Sequence, residues 1–175
     1  MRSEVDFDVR AFQMKCLEIM DTFDAVCRAN GLRYYMACGT MLGAVRHKGF
    51  IPWDDDVDVY MPRPDYDRLV KNARKWLPAP LKMVECESDI TFPHYYGKIE
   101  DESTTMIERV YLGHFGGVWI DIFPVDGVTD CKLLRKLHVR RFKFWRKMLY
   151  YVYRDPWKHG RTPGGYMVKA IHAMF

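Results

Sequence analysis

Between Asp54 and Asp58 the chain places four carboxylates in five positions, and the order Asp56-Val57-Asp58-Val59-Tyr60 alternates strictly from Asp56 onward. A period of two belongs to a strand with two unlike faces, so Asp56 and Asp58 share one face while Val57 and Val59 turn to a core. Asp54 joins the acidic face if the strand reaches back that far. With Trp53 on one side and the valines on the other, the run is read as the edge of a buried element and not as a solvated acidic turn. Two carboxylates about 5–6 Å apart, in an effective dielectric near 20, repel by about 3 kcal/mol. A fold keeps such a pair where a hard divalent cation lies between the acids or one of them stays protonated. Mg²⁺ takes carboxylate oxygens, water and phosphate oxygens as ligands, so an Asp-x-Asp strand is a platform for a metal–phosphate site.

The elements around this strand follow from periodicity. From Asp8 to Asn30, Val9, Phe12, Cys16, Ile19, Met20, Phe23, Val26 and Cys27 recur at steps of three and four, which predicts a helix capped by Asp6 or Asp8 and closed at Asn30-Gly31. Leu32–Cys38 is aromatic and short and reads as a buried strand. Met41–His47 reads as a short helix ended by Lys48-Gly49. Pro64-Asp65 opens another helix, with Tyr66, Leu69, Val70, Ala73, Trp76 and Leu77 on one face and Pro78 as its stop. Leu81–Glu85, His94–Ile99 and Thr104–Glu108 read as strands, the last two joined by a turn at Glu100-Asp101-Glu102-Ser103. Val118–Phe123 is a strong strand ended by Pro124, and Cys131–Tyr153 reads as a helix. Strands mixed with helices argue for an α/β (α+β) domain around one mixed sheet flanked by helices. The expected division is a core over 1–130 and a basic helical part over 131–175, whose last residues, Tyr166–Phe175, are amphipathic and carry no stop signal, as expected either of a truncated chain or of a terminal helix that packs there.

Gly39-Thr40 stands where a strand gives way to a helix. Backbone N–H groups at such a junction, with the helix dipole, form an anion site; Gly39 allows close approach, and Thr40 can cap the helix or bind a phosphate oxygen. Neither GxxxxGK[ST] nor GxGxxG occurs, which excludes a P-loop and a dinucleotide fingerprint. Asp121 lies inside Val118-Trp119-Ile120-Asp121-Ile122-Phe123. An aspartate there is costly unless paired or metal-bound, so Asp121 is either satisfied by a donor or acts as a third metal ligand or a general base. Asp126 reads as a turn cap. Arg46, His47 and Lys48 either complement the dipole at the helix end or neutralise phosphate, and Lys98, next to Gly97, is a candidate for the same task. Trp53, Tyr95 and Tyr96 belong to the core or rim, with base stacking as the alternative.

The run Cys38–Val59, with Gly39-Thr40, Arg46-His47-Lys48-Gly49, Ile51-Pro52-Trp53 and Asp54-Asp55-Asp56-Val57-Asp58-Val59, resembles the signature of the LicD family of the nucleotidyltransferase-fold superfamily. Trp119-Ile120-Asp121-Ile122-Phe123-Pro124 resembles that family's later Asp-Ile-Phe-Pro motif. The resemblance covers roughly residues 10 to 128. It implies a nucleotidyltransferase-like sheet and a Mg²⁺-dependent transferase that moves phosphocholine or an alditol phosphate from a CDP-linked donor to a glycan or lipid-linked glycan acceptor. By residue-wise transfer, Asp56, Asp58 and Asp121 are the metal ligands and catalytic acids. Gly39, Thr40, Arg46, His47, Lys48, Trp53 and Lys98 are the expected substrate contacts. The competing readings are transfer of NMP from an NTP to a small acceptor and a noncatalytic donor-binding module.

Composition narrows the remainder. Apolar residues make up 49% of the 175, enough for a core, so a disordered chain is excluded. The longest nearly apolar stretch, Tyr34–Val45, is interrupted by Gly39, Thr40 and Gly43 and falls short of the ~18 residues of a membrane span. Five cysteines without a CxxC pair argue for free buried thiols in a reducing compartment. No secretory signal is visible at the start, so the expected location is cytoplasmic or membrane-peripheral. A net charge of +4 is weak evidence for a polyanionic partner. The segment 131–149 is the exception: Lys132, Arg135, Lys136, Arg140, Arg141, Lys143, Arg146 and Lys147 interleave with leucines and aromatics and no acid. That pattern fits a core-packed helix with a solvated basic face, a helix on an anionic membrane surface, or an acceptor-glycan site. No RNA-binding motif accompanies it, so nucleic acid is not an expected partner.

Overall fold

Helix α1 (Val9–Asn30) begins where Asp8 Oδ1 accepts the Ala11 N–H at 2.9 Å and ends at Gly31 with φ +60°. Its buried side, Phe12, Gln13, Cys16, Ile19, Met20, Phe23, Val26 and Cys27, is the stripe that its period requires, apart from one amide. The computed structural model describes residues 8–88, 92, 94–106 and 114–153, with side chains to Met148. Along it follow β1 (Tyr35–Met36), α2 (Cys38–His47), β2 (Asp58–Pro62), α3 (Arg63–Trp76), β3 (Leu81–Val84), β4 (Gly97–Met106), β5 (Gly116–Val125) and α4 (Lys132–Tyr153). The α/β class read from the pattern is the one observed.

The sheet has the order β1-β2-β5-β4-β3. It is mixed: β1 is antiparallel to β2, β2 parallel to β5, and β5 antiparallel to β4. One face carries Val59, Ile99, Ile120 and Ile122, all at 0% exposure, into a core with Ile19, Phe23 and Leu69 from α1 and α3. Each such side chain contributes roughly 1.5–3 kcal/mol on burial, so this face holds the sheet on its helices. The opposite face carries Asp58, Lys98, Glu100 and Asp121.

Two compact units divide the chain. The first comprises Met1–Met83, Tyr96–Met106 and Gly116–Val125 and contains the core just described. The second comprises Val84–Tyr95, Ile107–Phe115 and Asp126–Phe175; within it Phe92 packs edge-on to His94 and His114, and Tyr95 to Phe142.

Several expectations are corrected. The aromatic run after α1 yields only the two-residue β1, and Tyr35 and Met36 are exposed because β1 is the sheet's edge. The acidic run Glu100–Ser103 is no turn between two strands. It lies inside the single strand β4 as an irregularity between Asp101 and Met106, where Asp101 Oδ1 accepts the Ser103 N–H and hydroxyl and Asp101 Oδ2 meets Lys15 of α1 at 2.8 Å. A Cβ on Gly117 would overlap the Asp101 carbonyl, so glycine there lets β5 run past the irregularity. Pro124 does not end β5, which continues to Val125 alongside Pro62. Cys16 and Cys27 are buried free thiols, but Cys38, Cys86 and Cys131 are exposed. On α4 the described apolar side chains, among them Leu133, Leu137, Phe144 and Trp145, are exposed alongside the basic ones, so no core-packed face is found over its described side chains. Residues 107–108 of the strand read over Thr104–Glu108, and Tyr166–Phe175, lie outside the described residues.

Candidate active site

Parallel pairing of β2 with β5 sets Asp58 opposite Asp121, and antiparallel pairing of β5 with β4 sets Lys98 on the other side of Asp121. Paired residues on neighbouring strands, about 4.8 Å apart, point to the same face, so Asp58, Asp121 and Lys98 form one row across the sheet. All three are buried, at 7%, 7% and 2% exposure. Lys98 is the second residue of β4, at the start of that strand. Its Nζ lies 3.5 Å from Asp121 Oδ1 and 3.8 Å from the centre of the Trp119 ring, a salt bridge joined to a cation–π contact. The next row holds Glu100 and Trp119, which are also register partners.

Asp56 precedes β2 and is half-buried. Burial first, then the Asp58 charge, then Asp54 and Asp55, push its carboxyl up to about 6, and Lys98 partly offsets this. Burial likewise raises the carboxyl of Asp58, and burial with the Asp55 charge raises that of Asp54. Three neighbouring acids are thus all held above their ordinary range, and a cation among them would relieve that penalty.

The acids are placed by contacts to their backbone. Asp58 N–H donates to Thr40 Oγ1 at 2.8 Å, and the Asp58 carbonyl accepts the Ala37 N–H at 2.9 Å. Asp121 N–H donates to the Val57 carbonyl at 2.8 Å. Thr40, in the first turn of α2, therefore positions Asp58. α2 has no side-chain cap, and a Cβ built on Gly39 would stand 2.5 Å from Asp54 Oδ2. The close approach predicted at Gly39 exists, but the group that makes it is the Asp54 carboxylate, a negative charge at a helix start. Gly43 is needed for a second such approach, by the Gly49 carbonyl.

Gln13 was missed at the sequence level. It is 3% exposed, and its Nε2 donates to the carbonyls of Ile51 (3.1 Å) and Asp54 (2.8 Å). The signal available was an amide at a core position of the α1 stripe, three residues before Cys16. Beside the acid loop lies a cavity of about 370 Å³ lined mainly by Met14, Leu17, Met20, Met36, Phe50 and Ile51, with Thr40, Asp54, Arg10 and Lys48 as its polar groups. Lys48 thus shares a cavity with Asp54, whereas Arg46 and His47 are exposed in the last turn of α2, about 10 Å along the axis from Gly39. Trp53 is 77% exposed and not the buried flank expected of it. Tyr96 packs on Phe123 at 4.4 Å.

The donor set fits a hard divalent cation in type: carboxylate oxygens, buried and mutually repelling, without a soft ligand among them. Among the described residues no three His, Cys, Asp or Glu side chains already stand together as an ion-holding group; Asp121 is turned to Lys98.

A mixed sheet with aspartates at the same level of two adjacent parallel strands, and a Gly-Thr helix start before the first of them, defines a nucleotidyltransferase-type domain. Residues 31–157 match the family model described as LicD/FKTN/FKRP, nucleotidyltransferase domain, and the chain belongs to that family. It is 39% identical over 126 residues to the lipopolysaccharide cholinephosphotransferase LicD of Haemophilus influenzae, covering 70% of this chain and 46% of that protein. Over 34 residues it is 53% identical to the human ribitol 5-phosphate transferase FKRP, covering 19% of this chain and 7% of that protein. The chain thus spans less than half the length of these relatives.

Proposed function

We propose that the chain carries the catalytic domain of a phosphotransferase. It would move a substituted phosphoryl group, phosphocholine or an alditol phosphate, from a CDP-linked donor to a hydroxyl of a glycan acceptor, with Mg²⁺ held by Asp56, Asp58 and Asp121. The Asp58–Asp121 register pair, inside the stretch matched to the family, carries this reading. The names of the relatives, a cholinephosphotransferase and a ribitol 5-phosphate transferase, support the reaction class.

The bound ion would supply charge neutralisation at the phosphate oxygens. The protein supplies the rest. Lys98, in the same row, offers its ammonium to the phosphate. Asp121 accepts the proton of the attacking hydroxyl as the new oxygen–phosphorus bond forms and the bond to CMP breaks. The Gly39-Thr40 turn opens backbone N–H groups toward the diphosphate, which would displace the Asp54 carboxylate. Lys48, in the adjoining cavity, meets the body of a substrate, Arg46 and His47 reach only its outer parts, and exposed Trp53 is a stacking surface for the base. The exposed basic and apolar side chains of α4 fit peripheral contact with an anionic membrane. Vesicles containing anionic lipid should retain the chain and neutral ones should not.

The direct test is a thermal-shift panel of CDP-choline, CDP-ribitol, CDP-glycerol, CTP and ATP, each with and without Mg²⁺. A Mg²⁺-dependent rise with a CDP-linked compound, lost in Asp58→Asn, is expected. A rise with CTP alone, with pyrophosphate released on turnover, would favour nucleotidyl transfer instead. Melting that responds to none of the nucleotides refutes both.

A further inference from the structure

We propose that Gln13 is a positioning residue that sets the acidic loop from helix α1; this rests on the reading of Asp56, Asp58 and Asp121 as the metal–phosphate site. Its amide is fully engaged. Nε2 donates to the carbonyls of Ile51 and Asp54, and Oε1 accepts from Arg10 at 3.3 Å. The Ile51 carbonyl also accepts the Asp54 N–H at 3.0 Å. Gln13 therefore closes on both ends of one turn, 51–54, and the acids Asp55, Asp56 and Asp58 leave directly from it. The partners are 38 and 41 residues away in sequence, so this is a tertiary clamp and not a local turn.

Only an amide of this length serves the position. Glutamate has no N–H to give, methionine has no donor, and asparagine is one methylene short. Without the clamp the Asp54 carbonyl loses its Gln13 donor, the Ile51 carbonyl keeps only the Asp54 N–H, and the tie between the turn and α1 is gone. The carboxylate spacing then shifts, and a misplacement of about 1 Å at a reacting centre can cost on the order of 10²-fold in rate. Gln13 lies outside the residues matched to the family, 31–157, so the family match gives it no role.

The experiment compares Gln13→Met, Gln13→Glu and Asp58→Asn with the unmutated chain. Amide hydrogen exchange over 51–58 reports the loop, and calorimetric titration with Mg²⁺ alone reports the site. In both Gln13 variants exchange over 51–58 should quicken while α3 and β4 keep their rates, and Mg²⁺ affinity should fall roughly 10-fold or more, as for loss of a residue that orients metal ligands. Asp58→Asn should lose Mg²⁺ binding with loop exchange unchanged. If Asp58→Asn binds Mg²⁺ like the unmutated chain, the metal reading fails, and the exchange data still judge Gln13. Loop exchange in Gln13→Met indistinguishable from the unmutated chain overturns the proposal. Should both variants fail to fold, the Gln13 side-chain amide protons of the unmutated chain decide. Slow exchange and a resonance shift on adding Mg²⁺ support the clamp; exchange as fast as in free glutamine refutes it.

Discussion

Asn at position 56 should stabilise this fold at neutral pH once divalent ions are removed. Asp56 is pushed from an ordinary 3.8 to about 6 by burial and by Asp58. A carboxyl raised in the folded state holds its proton more tightly there than in the unfolded chain. The Asp56 contribution to stability is therefore most favourable below about pH 4, falls as pH rises through 6, and is level above that. The difference between 3.8 and about 6, at 1.36 kcal/mol for each tenfold in proton affinity, corresponds to about 3 kcal/mol; partial exposure of Asp56 reduces this to about 1–3 kcal/mol. Asparagine resembles the protonated acid and escapes the penalty. In EDTA at pH 7.5, Asp56→Asn should melt above the unmutated chain by about 2–4 °C for each kcal/mol, and at pH 4 the two should coincide. Added Mg²⁺ should raise the melting temperature of the unmutated chain and close the gap. Equal melting temperatures at pH 7.5 in EDTA would show that Asp56 carries no such penalty and that the crowding of acids is not what the site stores.

Thr40→Val removes the acceptor of the Asp58 N–H and should cost about 1–3 kcal/mol in urea unfolding, with Thr40→Ser retaining most of it. Gly39→Ala sets a methyl against Asp54 Oδ2 and should shift the loop, lowering stability by about 1–3 kcal/mol and weakening nucleotide binding in the thermal-shift panel; binding at full strength would remove Gly39 from the site. Asp101 is buried, which alone would raise its carboxyl, but Lys15 and Ser103 outweigh that and hold it below the usual range. Its contribution should therefore be present at neutral pH and lost as pH falls through that lowered value, so the destabilisation in Asp101→Asn should shrink in acid urea melts.

What was legible in the sequence is what local spacing encodes. α1 and α3 carry the 3.6 period, α1 with a side-chain cap at Asp8 and a left-handed turn at Gly31 and α3 with Pro64 in its first turn; the Asp56–Tyr60 alternation finds β2 but places it two residues early, since the strand runs Asp58–Pro62 and Asp56 stands just before it. Asp121 stood out because one charge in an apolar strand needs a reason, and the register supplies one beside Asp58. What was illegible depends on partners far along the chain. Glu100–Ser103 has the composition of a turn, yet the Asp101 carboxylate is drawn into the fold by Lys15, 86 positions earlier. Trp53 has the composition of a core residue, yet the turn that Gln13 closes presents it to solvent. Tyr35 and Met36 look like core residues, but β1 is a two-residue strand at the sheet's edge and both are exposed.

The loop from Ile51 to Asp58 is held almost entirely by its main chain. Gln13 takes the carbonyls of Ile51 and Asp54, Ala37 and Thr40 take the two polar groups of the Asp58 peptide, and the Val57 carbonyl accepts from Asp121. A loop anchored through its own carboxylates would lose its shape whenever an acid was replaced or drawn to a ligand. Anchored through the backbone, it keeps its shape while its acids respond to charge. Burial and the neighbouring acids raise the carboxyls of Asp54, Asp56 and Asp58, and at Asp58 the hydrogen bond with Cys38 only partly offsets this. The fold thereby holds repelling acids on a rigid frame, the condition under which a cation gains most from binding and loses least to reorganisation. Replacements at 56 and 58 should accordingly change charge without moving the loop, whereas the neutral replacements Gln13→Met and Thr40→Val should move the loop without changing charge.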